Sequence, residues 1–415
     1  MLFLSRPLAP AGLIAAAGAV ATAALVAAQS QGRGSDAQGG PAGVRSITLS
    51  VTETAGIRRT EYPVSVSVAL PRGGIADAMH LRLRAGDAEM PAQFTPAGTW
   101  DDGSLRAVEV DFNATVGAGE SQEIRLEYGA SVSAEAKPRN GLNVSDGTDV
   151  IQVGNIRLGK SGWPLLASVA YRGEIIGPGP NGLVLVDASG NRYEFSAATA
   201  VAARVVKRGP LLVSVRYTGR VPTSGGEVGV AITCELPNSK SWIKLTAEAD
   251  DPARRVRGVY FETPFALGAF PWTWDFGTDS GTYGAFRGAD EQVVLTQLVA
   301  PGNASWRVET GAAANLRIYE RSLAGRAATV GGWGHLQDAR NVIAFAVDRF
   351  ASTPGEYRMA LDAQGHARFG RTSNQPSANQ QLTLYQHYVS TPVAIGAATS
   401  PTAMLRPLDV KVASH

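Results

Sequence analysis

The chain has 415 residues with 38 basic and 36 acidic side chains, a formal net charge of +2, so charge gives no footprint for nucleic acid or for an anionic membrane surface. Its one cysteine, Cys234, excludes an intrachain disulfide and any cysteine-built metal site. Forty-seven glycines and 18% charged residues, with Val and Thr prominent, describe a turn-rich all-β protein long enough for two or three domains.

Arg6 is the only charge before residues 11–28, a run of Ala, Gly, Leu, Ile and Val broken by Thr22 and ending in Val26-Ala-Ala28. This reads as a signal peptide over 1–28, with a retained membrane anchor as the alternative because the run approaches spanning length. No cysteine stands at the cleavage point, so a lipid anchor is not expected. Residues 29–43, rich in Gly, Gln and Ser, read as a flexible leader. The expected product is secreted or periplasmic, with no membrane contact once the signal is cleaved.

Residues 44–130 carry short strands at Val44–Ser50, Tyr62–Leu70, Met79–Leu83 and Ile124–Tyr128, the spacing of a small β-barrel. At their centre, Asp102-Gly103 is a strong tight-turn signal. Leu105, Ala107 or Val108, Val110 and Phe112 follow it as a strand interrupted by Arg106, Glu109 and Asp111. Trp100, just before the turn, is expected to plug the end of the barrel. Asp101 and Asp102 read as turn residues bonded to their own backbone rather than as ligands. Residues 130–140, with Lys137-Pro138, mark the boundary.

From 141 to 400, strand-length alternation recurs at Leu183–Val186, Arg192–Phe195, Ala203–Val206, Leu211–Tyr217, Val228–Leu236, Ser241–Ala249, Arg257–Glu262, Gln292–Val299, Leu316–Tyr319, Val342–Val347 and Gln381–Tyr388. Helical periodicity is absent, and no 20–50-residue repeat argues for a propeller or solenoid. The pattern predicts a large antiparallel β-sandwich, followed by a C-terminal tail over 401–415. Cys234 sits in an alternating strand as a small apolar core residue.

Several short segments together resemble one family. They are Arg59 to Pro63-Val64, Val68-Ala-Leu-Pro-Arg-Gly-Gly-Ile75, Gln93, and the Trp100-x-Asp-Gly-Ser104 turn. Asp187-x-x-Gly-x-x-Tyr193, Gly209-Pro-Leu211, Gly332-Trp-Gly-His-Leu-Gln-Asp338 with the strand after it, and Leu384-Tyr-Gln-His-Tyr388 continue the likeness over about residues 45–400. They are similar to the exo-rhamnogalacturonan lyases, polysaccharide lyase family 26 and its bacterial relatives. The resemblance implies a small RIFT-barrel-like domain over 44–130, a sandwich over 141–400 and plant-type acidic polysaccharide as the ligand. Family members continue into a helical toroid, and this sequence reaches His415 without a helix-rich segment.

The segment Gly268-Ala-Phe-Pro-Trp-Thr-Trp-Asp-Phe-Gly277 and its continuation to Arg287 is the strongest candidate for ligand contact. If it is an irregular loop, Trp272 and Trp274 share one side and can stack on sugars, with Asp275, Tyr283 and Arg287 beside them. The alternative is that both rings cover the end of the sandwich. Trp333 joins this substrate-binding set. His335 and Asp338 are the candidates for general-base work, although the segment also reads as structural. His387 reads as a hydrogen-bonded strand residue, and His80 and His366 stand alone. The five histidines lack metal-ligand spacing, and Asp146 and Asp149 lack the register of a calcium loop, so neither a metal nor another cofactor is expected. Lys207-Arg208 and Arg254-Arg255 read as solvated turn charges.

Three functions are consistent with this sequence. A secreted protein that binds acidic polysaccharide or oligosaccharide without catalysis is expected first, because the toroid is missing. An active lyase cleaving rhamnogalacturonan by β-elimination is the alternative, its site lying in the sandwich or completed by a partner chain that supplies a helical catalytic domain. A structural envelope protein is the third.

Overall fold

The strand Ala107–Val116 alternates strictly, and this alternation builds the first layer of the fold. The computed structural model describes residues 43–323, 328–389 and 391–413. In it Val108, Val110, Phe112 and Ala114 point into an apolar core at 0–1% exposure, while Glu109, Asp111 and Asn113 face the other way. Arg59–Ala69 and Ala92–Pro96 flank this strand antiparallel, with Val64 opposite Phe112 and Phe94 opposite Val110. Across the core lies a five-stranded sheet in the order Asp409–Val412, Arg45–Thr52, Ser121–Tyr128, Leu81–Ala85, Ala88–Met90. The expected small barrel is thus a pair of sheets around one core.

Two expectations for this region are corrected. Trp100 does not plug the barrel: it is 37% exposed, with its Nε1 donating to Leu70 O at 3.1 Å. The turn itself forms as expected, with Gly103 at φ +82° and the Ser104 amide donating to Asp102 Oδ1 at 3.0 Å. That turn bends the chain so that Leu105, at 3% exposure, enters the core in place of the ring. Residues 401–413 are not a tail. A seven-residue helix, Thr399–Leu405, leads into Asp409–Val412, which pairs with Arg45–Thr52. Met404 and Leu408 are buried in the N-terminal core.

The helix is held by Arg59, whose guanidinium is 1% exposed. It donates to the carbonyls of Ala403 at 3.2 Å and Arg406 at 2.5 Å, and to Glu53 Oε1 at 3.2 Å. Tyr62 Oη donates to the same Ala403 carbonyl at 2.9 Å. These bonds satisfy carbonyls that a helix C-terminus leaves open. Burial alone would raise the Glu53 carboxyl, but the amides of Gly119, Ala55 and Gly56, with Arg59, outweigh it and hold the group at about 2.

The expected sandwich is present as two large antiparallel sheets among the described residues. The nine-stranded sheet runs Thr199–Lys207, Leu212–Thr223, Gly226–Pro237, Trp242–Asp250, Asn379–Val389, Val342–Val347, Trp333–Gln337, Trp272–Phe276, Tyr283–Phe286. The eight-stranded sheet runs Arg192–Glu194, Gly182–Asp187, Val256–Pro264, His366–Thr372, Gly355–Asp362, Glu291–Ala300, Asn303–Ala312, Arg317–Arg321. Their apolar faces share one core, which includes the fully buried Cys234. A four-stranded sheet over residues 144–169 packs into the same core.

The outward polar face of Ala107–Val116 meets this sandwich. Lys207 is not a solvated turn charge: its side chain is 12% exposed and pairs with Glu109 at 2.8 Å and Asp111 at 3.0 Å. Gln93 accepts from the amides of Leu211 and Leu212 and donates to Leu212 O, at 3.0–3.2 Å. Gly209 must stay small there, since a Cβ would lie 2.1 Å from the Gln93 side chain. The expected signal peptide, and the leader as far as residue 42, lie outside the described residues. No helix among the described residues is long and apolar enough to cross a membrane.

Because Glu53 is held below its ordinary 4.5 in the folded protein, its contribution to stability is present above about pH 4.5 and is lost as pH falls toward 2. Thermal unfolding should therefore show Glu53→Gln less stable than the parent near neutrality, with a smaller loss on acidification to about pH 3. Equal acid sensitivity in the two proteins would show that other carboxylates govern the transition.

Candidate functional site

The segment expected to be a binding loop is a strand, Trp272–Phe276, paired with Trp333–Gln337 and Tyr283–Phe286. Its period of two sends Trp272, Trp274 and Phe276 together into the sandwich core, where they are 7%, 3% and 0% exposed. Trp272 stacks on Phe270 with centroids 4.6 Å apart, and Trp274 meets Tyr319 edge-on at 5.7 Å. Neither ring presents a face to a sugar. They are packing, because two bulky apolar groups on the inward side of a strand gain more from burial than from solvent.

On the opposite side of that strand, Asp275 meets His335. The structure unites these two residues from separate sequence clusters, but in a closed position, 2% and 1% exposed. Asp275 Oδ1 lies 2.7 Å from His335 Nδ1 and accepts the His335 amide at 2.9 Å; Oδ2 accepts the Gly396 amide at 2.8 Å. The C-terminal segment closes over the pair, so no substrate reaches it. Asp338 is not its partner. Asp338 caps a turn, accepting amides of Arg340, Asn341 and Gly268 at 2.6–2.7 Å; against the upward push of burial, these hold its carboxyl below the usual range. Tyr283 and Arg287 are exposed, and Trp333 is half-buried, edge-on to His335 at 5.7 Å. Arg287 shares a shallow cleft with the edge of Trp274, and Trp333 lines a separate groove with Arg349 and Arg406.

A different cluster is assembled on the outer face of the eight-stranded sheet. Three central strands send Phe261, Phe369 and Met359 inward, so their alternate residues face out. Register places Glu262 beside Arg368 and Arg368 beside Ala360, with Tyr260 beside Gly370 and Gly370 beside Arg358. The small side chains among these leave a depression of about 230 Å³, lined by Glu262, Gln292, Arg358, Asp362, His366 and Arg368.

The charged groups of this depression are unevenly paired. Glu262 is 8% exposed and receives Arg192 Nη2 on both carboxylate oxygens, at 2.7 and 2.8 Å. Arg368 lies over the Tyr260 ring at 4.1 Å, with its Nε 3.6 Å from Glu262, too long for a hydrogen bond. That Nε–H is buried without an acceptor among the described residues. Arg358 has neither an ion pair nor a hydrogen bond among them. Burial, then Arg192, pull Arg368 below its ordinary value; Tyr260 and Glu262 oppose this, and Arg358 adds to it. Arg358 and Arg368 thus line the depression with Glu262 and Asp362, and Arg192 holds Glu262 from beside it. At the rim, His366 Nδ1 lies 3.1 Å from Asp362 Oδ2, while Asp362 Oδ1 accepts the His366 amide at 2.9 Å. Among the described residues no three His, Cys, Asp or Glu side chains converge to hold a metal ion.

No family model matches the chain, and no curated protein matches it. Among solved structures, it is similar in fold to a protein in the glycosyl hydrolase family 38 from Enterococcus faecalis, with TM-score 0.53 and 8% identity over 89% of this chain and 47% of that one. It is similarly related to an α-mannosidase from Enterococcus faecalis V583, with TM-score 0.52 and 8% identity over 89% and 46% of the two chains. The chain spans about half the length of these proteins. At such identity the likeness is one of fold, an all-β architecture shared with part of two carbohydrate-active proteins.

If Trp274 is packing, Trp274→Ala should lower the unfolding free energy by about 3–5 kcal/mol, as emptied aromatic core sites do. Denaturant titration measures this. A loss under about 1 kcal/mol would mean that the ring is not part of the core after all.

Proposed function

We propose that this protein binds acidic carbohydrate on the outer face of its eight-stranded sheet, with Arg358 and Arg368 receiving a uronate carboxylate. The observation that carries this reading is the Arg358 guanidinium, without an ion pair or hydrogen bond among the described residues, lining a depression beside Arg368 while Arg192 occupies Glu262. A guanidinium offers a planar pair of donors to a carboxylate, and a bound anion relieves the mutual repulsion of the clustered cations. Gln292, Glu262 and Asp362 line the same depression and suit sugar hydroxyls. The all-β fold shared with carbohydrate-active proteins supports a sugar as the ligand. The sequence resemblance favours rhamnogalacturonan among acidic polysaccharides and an exported mature protein, with the signal removed near residue 28.

One observation favours a lyase as the second reading. His366, oriented by Asp362, lines the same depression as Arg358. β-Elimination needs a base for the proton α to a carboxylate and positive charge to stabilise the resulting anion.

Calorimetry with galacturonate oligosaccharides should show Arg358→Ala binding about tenfold more weakly or worse, the loss of one charged hydrogen-bond pair, with unchanged thermal stability. Unimpaired binding by a folded Arg358→Ala protein would refute the site. Formation of an unsaturated uronate product by the parent, abolished in His366→Ala, would establish the lyase reading over simple binding.

A further inference from the structure

The second cleft lies on the other side of the sandwich, between the N-terminal sheets and the outer face of the nine-stranded sheet. Its volume is about 240 Å³. The barrel side contributes Asp111, placed by register opposite Ser65. The sandwich side contributes Glu235 and Tyr385, both beside Lys244 in the sheet. Trp242 completes the wall and meets Tyr62 and Tyr385 edge-on at 5.8 and 6.3 Å.

Asp111 is only 2% exposed, and its two oxygens are not equivalent. Oδ1 accepts from Ser65 Oγ and Lys207 Nζ, whereas Oδ2 is buried without a hydrogen-bond partner among the described residues. An unmet carboxylate oxygen in a buried position is costly, and native structures rarely leave one. Burial pushes the Asp111 carboxyl above its usual range even with Lys207 and Ser65 beside it, which matches an oxygen short of a donor. Asp111 is among the residues lining the cleft, so a donor for this oxygen can come from a group bound there.

The chemistry of the walls narrows the ligand. Lys244, the only cation among the described residues lining the cleft, is already paired with Glu235 at 2.6 Å. A carboxylate entering here meets two carboxylates and no free cation, so an anionic sugar is disfavoured. Hydroxyl groups donate to Asp111 Oδ2 without charge repulsion, and the aromatic wall suits the apolar C–H face of a sugar ring.

We propose that the cleft between the N-terminal sheets and the sandwich is a second carbohydrate subsite, selective for an uncharged sugar whose hydroxyl donates to Asp111 Oδ2. The proposal rests on the carbohydrate reading above but uses none of the residues of the eight-stranded sheet, so the two fail separately.

The test uses the mature full chain and three probes: methyl α-mannopyranoside, methyl β-galactopyranoside and galacturonate, each followed by saturation-transfer NMR and calorimetry. At least one neutral glycoside should bind the parent. Asp111→Asn should weaken that binding about tenfold, since it turns one carboxylate oxygen into a donor. Glu235→Gln, a half-buried position that the fold tolerates more easily, should weaken it severalfold. Both variants should keep their affinity for galacturonate, whereas Arg358→Ala should show the reverse pattern. If Asp111→Asn does not fold, Glu235→Gln decides. Absence of neutral-glycoside binding, or binding that neither variant changes, overturns the subsite and leaves the eight-stranded face unaffected.

Discussion

The architecture hangs on one buried guanidinium. Arg59 enters the second strand of the described chain, and its side chain reaches carbonyls of residues 403 and 406, some 350 positions on. A buried arginine is tolerable only when its charge and its donors are met. Glu53 supplies the charge, and the open carbonyls of the Thr399–Leu405 helix supply acceptors. The ends of the described chain are thereby locked into one sheet, where Asp409–Val412 pairs with Arg45–Thr52. Without that lock the sheet would lose a strand, and the lid over Asp275 and His335 would lose its anchor.

The same economy of polar groups explains how the N-terminal sheets sit on the sandwich. Their contact is apolar in part, with Trp242, Ala344 and Ala346 of the nine-stranded sheet packed into the N-terminal core. Beside this lie hydrogen bonds between Gln93 and the backbone of Leu211 and Leu212, one from Asn113 to Asn238 at 3.0 Å, and the Lys207 pairs with Glu109 and Asp111. Directional bonds of this kind fix orientation more tightly than apolar contact, which is indifferent to small slips. They leave a cleft lined by Asp111, Glu235 and Lys244 between the N-terminal sheets and the sandwich.

Much of this was legible in the sequence, because alternation is a direct image of burial on a two-faced strand. The strands around Val64, Val110, Val230 and Leu384 lie where the period of two places them, and Cys234 is as buried as its neighbours imply. What failed did so for physical reasons. Trp272 and Trp274 look like a binding platform because Gly and Pro nearby suggest a loop, yet pairing to Trp333–Gln337 turns both rings inward. Lys207 looks solvated because sequence shows its turn and not the Asp111 that comes to meet it from 96 positions away. The depression at Arg358 was missed although its pattern is plain in retrospect: Arg358-x-Ala-x-Asp362 and His366-x-Arg368 alternate polar with apolar residues. His366 stands alone in sequence only because the turn that brings Asp362 to it is a hairpin rather than a motif.

Solvated charges on a sheet face usually find partners across the strands, since opposite charges side by side gain a little and like charges lose it. Around Glu262 this face departs from that habit. Arg192 takes both oxygens of the carboxylate, Arg368 is left to the Tyr260 ring and a distant oxygen, and Arg358 has no partner among the described residues. Nothing in the packing requires this, because Arg358 is on the outward side of its strand, where a neutral residue would fit the fold as well. An arrangement that does not help the apo protein fold is best explained by what it does for a ligand. The two clefts differ in their charged groups, with Arg358 and Arg368 in one and Asp111 and Glu235, each paired to a lysine, in the other, and the sandwich stands between them. Were both proposed sites to hold, a polymer of charged and neutral sugars would meet the two sets of groups together.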